Sequence, residues 1–186
     1  IKSQDWFQPH AGVAYKLTDK AEIFGGFTQV TRAFVSSASS GPFATTQAGF
    51  DALVTRDLKP ESSDTFELGA RYNDNVFNGV IGVYYVNFRN RLLGVQTGAG
   101  IVGNPAILQN VGSVRSLGFE AAGDVRLGGG MTLFASYSYT GATYREDVIT
   151  PTAVIATKGK EVVDTPKHLL RGEVAYDSDA FFGRVG

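Results

Sequence analysis

The stretch LKPESSDTFELGARYNDNVFNGVIGVYYVNF, at residues 58–88, decides the fold. Apolar and polar residues alternate over residues 65–72, which predicts a β-strand with one apolar and one polar face. The sequence Asn-Asp-Asn at residues 73–75 predicts a tight turn, because Asn and Asp tolerate the left-handed backbone that such turns need. A second strand is predicted from Phe77 to about Arg91. Together the two strands form a predicted hairpin.

The same period of two recurs along most of the chain, while helical periodicity is scarce. We predict about eight strands, paired as hairpins with short turns. Long loops separate the hairpins after residue 31, at about residues 93–108 and at about residues 145–164. In an antiparallel up-and-down sheet this alternation puts every short turn at one end and every long loop at the other. Such asymmetry, with strands of about ten residues, is typical of an outer-membrane β-barrel.

The two faces of the predicted strands differ in chemistry. Charges along one face are spread over the strands rather than placed at their ends, at Glu67, Arg71, Glu120, Asp124, Arg126, Arg171 and Glu173. In a barrel these side chains line a hydrated lumen, and the apolar face meets lipid.

Aromatic residues recur beside the short turns, at Tyr15, Tyr72, Phe77, Tyr176, Phe181 and Phe182. Their positions suit an interfacial girdle, although Tyr and Phe are also good strand formers in any sheet. An aromatic girdle would mark the height at which the wall leaves the hydrocarbon.

Composition excludes several classes of protein. A formal net charge of −1 argues against a nucleic-acid surface, and the absence of cysteine excludes disulfides and thiolate metal sites. No window approaches eighteen consecutive apolar residues, which excludes a membrane-spanning helix. The glycine-rich GAGIVG at residues 98–103 is followed at once by Asn-Pro, so no helix can present its N-terminus to a dinucleotide. With no nucleophile-elbow pattern either, we expect neither an enzyme nor a cofactor.

Four segments, in order, resemble the TonB-dependent outer-membrane receptor family. They are FQPHAGVAYKLTDKAEIFGGFTQVTRAF at residues 7–34, LKPESSDTFELGARY at residues 58–72, QNVGSVRSLGFEAAGDVRL at residues 109–127 and DTPKHLLRGEVAYD at residues 164–177. The second is similar to the family's segment with Lys-Pro-Glu and a Glu-Leu-Gly strand. The third is similar to its Asn-Val-Gly strand.

The resemblance implies an all-β, antiparallel, transmembrane barrel of about 22 strands in the bacterial outer membrane. Residues 1–186 would be a fragment of about eight strands within that one barrel domain, without its plug domain and closing strands. It also implies uptake of a scarce nutrient such as an iron–siderophore complex, driven by the TonB complex acting through the plug. Two alternatives stay open from the residues alone: a passive porin or structural barrel, and a soluble β-sandwich binding module.

Ligand contacts are predicted near the bases of the long loops, on residues expected to face the lumen. The candidates are Arg32, Asn87, Arg89, Asn110 and Tyr144. Arginine suits an anionic chelate, and tyrosine offers a stacking face with a hydroxyl. The alternative is that these are ordinary rim or plug-contacting residues. We expect the deeper charges Glu67, Arg71, Glu120 and Arg126 to contact the plug, and His10 and His168 to bind no metal.

Overall fold

The computed structural model describes residues 6–32, 59–96, 106–149, 154–163 and 165–186. Its strands are β1 (His10–Lys16), β2 (Ala21–Arg32), β3 (Glu61–Asn73), β4 (Phe77–Arg89), β5 (Leu92–Gln96), β6 (Ala106–Asn110), β7 (Val114–Gly128), β8 (Met131–Tyr144), β9 (Val148–Ile149), β10 (Val154–Ile155), β11 (His168–Asp177) and β12 (Phe182–Val185). Within these ranges, no helix is long and apolar enough to cross a bilayer.

Eight of these strands form a single antiparallel sheet in the order β1-β2-β3-β4-β7-β8-β11-β12. This confirms the all-β, up-and-down prediction of about eight strands. The sheet is not closed, since β1 and β12 are its two edges. Two smaller antiparallel pairs, β5–β6 and β9–β10, lie where the sequence predicts only loops. Strands of five and two residues are too short to show an alternation that sequence reading can detect.

The connections alternate in length as predicted. Short turns at residues 17–20, 74–76, 129–130 and 178–181 join strands at one end of the sheet, which we call the turn rim. The long connections between β2 and β3, β4 and β7, and β8 and β11 leave from the opposite end, the loop rim.

Large apolar side chains cover one face of the sheet without a second layer against them. Phe66 is 51% exposed, Leu68 62%, Phe119 36% and Leu133 43%. The buried apolar residues of the described ranges lie at the loop rim and in the loops beside it instead. A sandwich would bury this face against another sheet, so the described part of the chain is not a sandwich.

The register assigns each residue to one of two faces. Cross-strand neighbours on the apolar outer face include the row Phe27, Phe66, Tyr85, Leu117 and Gly141. The polar inner face carries the parallel row Gly26, Glu67, Tyr84, Gly118 and Thr140. All the charges that the sequence assigns to a single face lie on this inner face.

The apolar part of the outer face has the height of a bilayer core. On β4 it runs from Phe77 to Tyr85, with Asn87 next on the same face. Nine residues at about 3.3 Å each, tilted by about 40°, rise about 23 Å. An outer-membrane barrel needs an apolar band of about 25 Å, so the sheet has the dimensions of a membrane wall.

Candidate functional site: the inner wall and the loop rim

Two glutamates without partners stand in the middle of the inner wall. Glu67 on β3 lies opposite Gly26 and Tyr84, and Glu120 on β7 lies opposite Gly82 and Ser138. Both line a groove of about 550 Å³. Among the described residues, neither carboxylate has a hydrogen-bond or ion-pair partner. The wall therefore presents two available negative charges to the lumen.

Two aromatic rings of the inner wall pack over glycines of the neighbouring strands. The ring of Tyr84 occupies the space that a Cβ on Gly118 would need, and its hydroxyl lies 2.8 Å from Oγ1 of Thr140. The Phe24 ring covers Gly69 in the same way, and the Arg71 guanidinium lies 4.7 Å from the centre of that ring. Both rings line the same groove as the two glutamates.

Several other charges of the inner wall have partners on the wall itself. Arg71 lies 3.4 Å from Glu22, and Arg171 donates to Glu173 at 3.0 Å. Asn78 donates to Asp124 at 3.0 Å, nearer the turn rim. This local pairing separates Glu67 and Glu120 from the remaining wall charges.

At the loop rim, Arg32 lies where it is predicted, at the end of β2 on the inner face. It is cross-strand neighbour to Glu61, with 3.9 Å between Nη1 and Oε1, and more than half of its side chain is exposed. Glu61 is buried and accepts the Leu92 N–H at 2.9 Å. Sequence reading does not single out Glu61, although it is the Glu of the quoted Lys-Pro-Glu motif, because its partner is distant in sequence.

Asn110 joins two loop bases through its side chain. Its Oδ1 accepts the Lys59 N–H at 2.9 Å, and its Nδ2 donates to the carbonyls of Lys59 at 2.9 Å and Asn90 at 2.7 Å. Asn90 has a positive φ of 52°, where β4 ends. These bonds give Asn110 a structural role, and any ligand would compete with them.

Tyr144 lies on the inner face at the end of β8, but it is buried. It forms a small core with Val114 and Val162, and Phe88 and Ala142 pack against this core. Backbone bonds hold the returning loop there, from the Tyr144 N–H to the Lys160 carbonyl at 2.9 Å and from the Val162 N–H to the Ala142 carbonyl at 3.0 Å. The third long loop thus folds back on the wall, and the Tyr144 ring is covered.

Asn87 and Arg89 lie on the outer face, so the expectation that they face the lumen is wrong. The register puts them on the same face as Tyr85. Arg89 forms a paired ion contact with Asp64, at 2.5 and 2.9 Å, and its Nε donates to Ser62 at 3.3 Å. The part of β4 below Asn87 is largely apolar on both faces. The alternation alone therefore does not reveal whether its odd-numbered or its even-numbered residues meet lipid.

At the turn rim, the turn between β3 and β4 is stabilised by hydrogen bonds between residues close in sequence. The Asp74 carboxylate accepts the N–H groups of Phe77 at 2.8 Å and Val76 at 2.9 Å, and the Tyr72 hydroxyl at 3.0 Å. These bonds stabilise the charged form, so they hold the pKa of Asp74 well below its usual range. The predicted turn at residues 73–75 is therefore built around its central aspartate.

Groups able to hold a metal ion are absent from the described ranges: nowhere do three or more His, Asp or Glu side chains converge. His168 lies on the outer face beside two tyrosines. Its Nδ1 is 2.8 Å from the Tyr137 hydroxyl, and its ring is 5.2 Å from that of Tyr139.

A single sheet of membrane height, apolar outside and charged inside, with short turns at one rim and long loops at the other, defines a segment of an outer-membrane β-barrel wall. The chain belongs to the family described as TonB dependent receptor-like, beta-barrel, whose model matches residues 1–186. Proteins of this family are outer-membrane receptors rather than enzymes, in keeping with the sequence analysis.

Known proteins share both sequence and fold with the chain. An uncharacterized TonB-dependent receptor of Haemophilus influenzae is 28% identical over 134 residues, which are 72% of this chain and 36% of that protein. The chain thus spans about a third of this curated relative. The ferric citrate transporter FecA, unliganded, superposes with a TM-score of 0.62 at 23% identity, covering 92% of this chain and 23% of FecA. The copper transporter OprC gives a TM-score of 0.66 at 19% identity, covering 92% and 24%.

Proposed function

We propose that the chain forms part of the wall of a receptor that takes up a scarce nutrient across the outer membrane, with a ferric siderophore complex as its ligand class. Family membership supports the receptor assignment. The solved relatives described as a ferric citrate transporter and a ferric yersiniabactin uptake receptor support a ferric chelate. In this proposal residues 1–186 belong to one transmembrane barrel domain of about 22 strands.

The observation that carries the proposal is the pair of unpartnered carboxylates at Glu67 and Glu120. A charge enclosed in a narrow lumen is costly unless it is hydrated or paired. We infer that basic side chains of a plug domain of the same protein meet these carboxylates. A water-filled porin lumen would hydrate the same carboxylates, so the presence of a plug domain that pairs with them is what separates the receptor from the passive-porin alternative. The TonB complex would then act on the wall only through that plug.

Ligand capture is assigned to the loop rim. Arg32 is the most accessible of the candidates there, and its guanidinium suits the negative charge of a ferric chelate. Asn110 and Tyr144 would support the rim from beneath, since their polar groups and ring are already engaged by the protein. Asn87 and Arg89 are not proposed as ligand contacts, because they face away from the lumen.

The test uses the full-length receptor in cells that lack their other siderophore receptors. We expect uptake of radiolabelled ferric siderophore that stops when a protonophore collapses the energy supply. E67Q/E120Q should lower uptake at least tenfold at equal surface abundance. A matched E22Q/E173Q variant, which alters locally paired glutamates of the same wall, should lower it less. Uptake that is insensitive to the protonophore and shared by unrelated small solutes would contradict the proposal in favour of a porin.

A further inference from the structure

The chain bends where β4 ends, and the bend sends two arginines to opposite faces of the wall. In a regular strand Arg89 and Arg91 would share a face, because side chains alternate with a period of two. Asn90 lies between them with a positive φ of 52°, which interrupts this alternation. Arg89 stays on the outer face, whereas the guanidinium carbon of Arg91 lies 5.4 Å from the centre of the Phe88 ring. Phe88 belongs to the inner face, so Arg91 reaches toward the lumen.

Hydrogen bonds to the base of the second long loop hold this bend in place. The Arg91 N–H donates to the Gly112 carbonyl at 2.9 Å, and the Arg91 carbonyl accepts the Val111 N–H at 2.8 Å. The Asn90 carbonyl accepts the side-chain amide of Asn110 at 2.7 Å. The backbone of Arg91 is therefore fixed before any ligand arrives, which lowers the entropic cost of binding.

The Arg91 guanidinium keeps its hydrogen-bond donors available. Among the described residues its side chain contacts the Phe88 ring but has no ion-pair or hydrogen-bond partner. An aromatic face attracts a guanidinium through its π electrons and occupies none of the N–H donors. Those donors can therefore form the paired hydrogen bonds that arginine makes with a carboxylate.

Arg32 lies at the same corner of the loop rim, and Glu61 links the two arginines. One carboxylate oxygen of Glu61 lies 3.9 Å from Nη1 of Arg32, and the other accepts the N–H of Leu92, the residue after Arg91, at 2.9 Å. Glu61 is buried, while more than half of the Arg32 side chain is exposed. These side chains present two guanidinium groups against one covered carboxylate, which is an excess of positive charge.

We propose that Arg91, together with Arg32, forms the anion-binding site of the receptor and selects ferric chelates that carry free carboxylates and a net negative charge. This inference rests on the proposed uptake function and narrows its ligand class. A neutral chelate would cover the two guanidinium groups without pairing them, and an unpaired covered charge costs free energy. Arg91 thus takes the role in ligand contact that the sequence pattern predicts for Arg89.

The experiment measures binding of radiolabelled ferric citrate to the full-length receptor in detergent, with a neutral ferric trihydroxamate as the second probe. We expect ferric citrate to bind more tightly, and R91A to weaken its binding about tenfold or more, the order of effect of a hydrogen bond to a charged group. R91K, which keeps the charge but not the planar fork, should lose less. R115A is the matched control, because Arg115 is an exposed arginine of the same rim that lies opposite Asn87 on the outer face. It should bind ferric citrate as the unaltered receptor does.

Three outcomes would overturn the proposal: equal binding by R91A and R115A, tighter binding of the neutral chelate, or no binding of ferric citrate. If R91A does not assemble in the membrane, R91Q tests the same contact, since it keeps most of the side-chain length and loses the charge. An unchanged affinity of R91Q contradicts the proposal. Protonophore-sensitive uptake of the neutral chelate alone would reject this inference and leave the uptake function standing. Uptake of every chelate without an energy requirement would instead contradict the uptake function itself.

Discussion

The two rims of this sheet are stabilised in different ways. At the turn rim, side chains bond to backbone groups two or three residues away, as Asp74 does to Val76 and Phe77, and Thr18 to Lys20 and Ala21. At the loop rim, partners are distant in sequence: Asn110 and Lys59 are 51 residues apart, and Glu61 and Leu92 are 31 apart. The turns of the turn rim are therefore built mainly by short-range contacts, to which the sheet adds a few such as Lys20 with Asp74, whereas the side-chain bonds of the loop rim form only once the sheet has formed.

Asn110→Ala should give the largest loss of stability. It removes three hydrogen bonds that join the Lys59 and Asn90 backbones, at about 1 kcal/mol each, so we expect a loss of about 3 kcal/mol. The measurement is denaturant unfolding of the full-length receptor in detergent. Asn75→Ala at the turn rim is the control, with an expected change within about 0.5 kcal/mol. Equal effects would mean that the rims do not differ.

Gly130→Ala should lower stability through a contact between neighbouring strands, which is unusual at the turn rim. Gly129 and Gly130 both have positive φ, of 60° and 85°, but only Gly130 lies against the Asp177 carbonyl of β11. A Cβ at Gly129 has nothing within 4 Å, so its cost is backbone strain of about 1 kcal/mol. Gly130→Ala adds a collision with the neighbouring strand, for about 2–3 kcal/mol in total. The control variant is Gly129→Ala. Similar unfolding midpoints for Gly129→Ala and Gly130→Ala would contradict the cross-strand contact.

Val114→Ala should cost about 2 kcal/mol, since it removes two buried methyl groups from the core that holds the third loop. The same change at Val154, which is 67% exposed, should be nearly silent. Limited proteolysis at residues 154–162 is a second readout, because a weakened core should speed cleavage there. If cleavage rates match for both variants, the loop is not held by Val114.

Acidification should have the smallest effect, confined to one turn. Because hydrogen bonding lowers the folded-state pKa of Asp74 below the unfolded value of 3.8, its charged form stabilises the turn above about pH 4. That contribution is lost as the pH falls below 4. Hydrogen-exchange protection of the Val76 and Phe77 amides should therefore decrease from pH 6 to pH 3, and Asp74→Asn should remove this pH dependence. Asp179→Asn, in the turn at residues 178–181, should leave it intact.

The features of the fold that the sequence predicts are those that depend on neighbouring residues, as the turns of the turn rim do. The alternation at residues 65–72, the turn after it and the opposite chemistry of Phe66 and Glu67 can be read from neighbouring residues, and the structure confirms them. The short pairs β5–β6 and β9–β10 escape sequence reading because strands of five and two residues carry no periodicity.

The candidate site was only partly predictable. Arg32 lies at the loop rim on the inner face, where it is expected, but Tyr144 is buried and Asn110 is engaged by backbone groups. Asn87 and Arg89 face outward. To predict this from sequence, one must know which alternate residues of β4 contact lipid, and the lower part of the strand, which is largely apolar on both faces, does not show it. Whether any of the inward candidates contacts a ligand stays a prediction.

By itself, the sequence determined which segments become strands, where the chain turns tightly and that one face of the wall is apolar, because each depends on residues two to four apart. Only the tertiary structure decided that Glu61, Asn110 and Tyr144 are held by partners elsewhere in the chain, and that Glu67 and Glu120 have no partner among the described residues. The reason is that the pairing register of the strands determines which residues lie side by side. Such residues are far apart in the sequence, so a pattern of neighbouring residues cannot predict them.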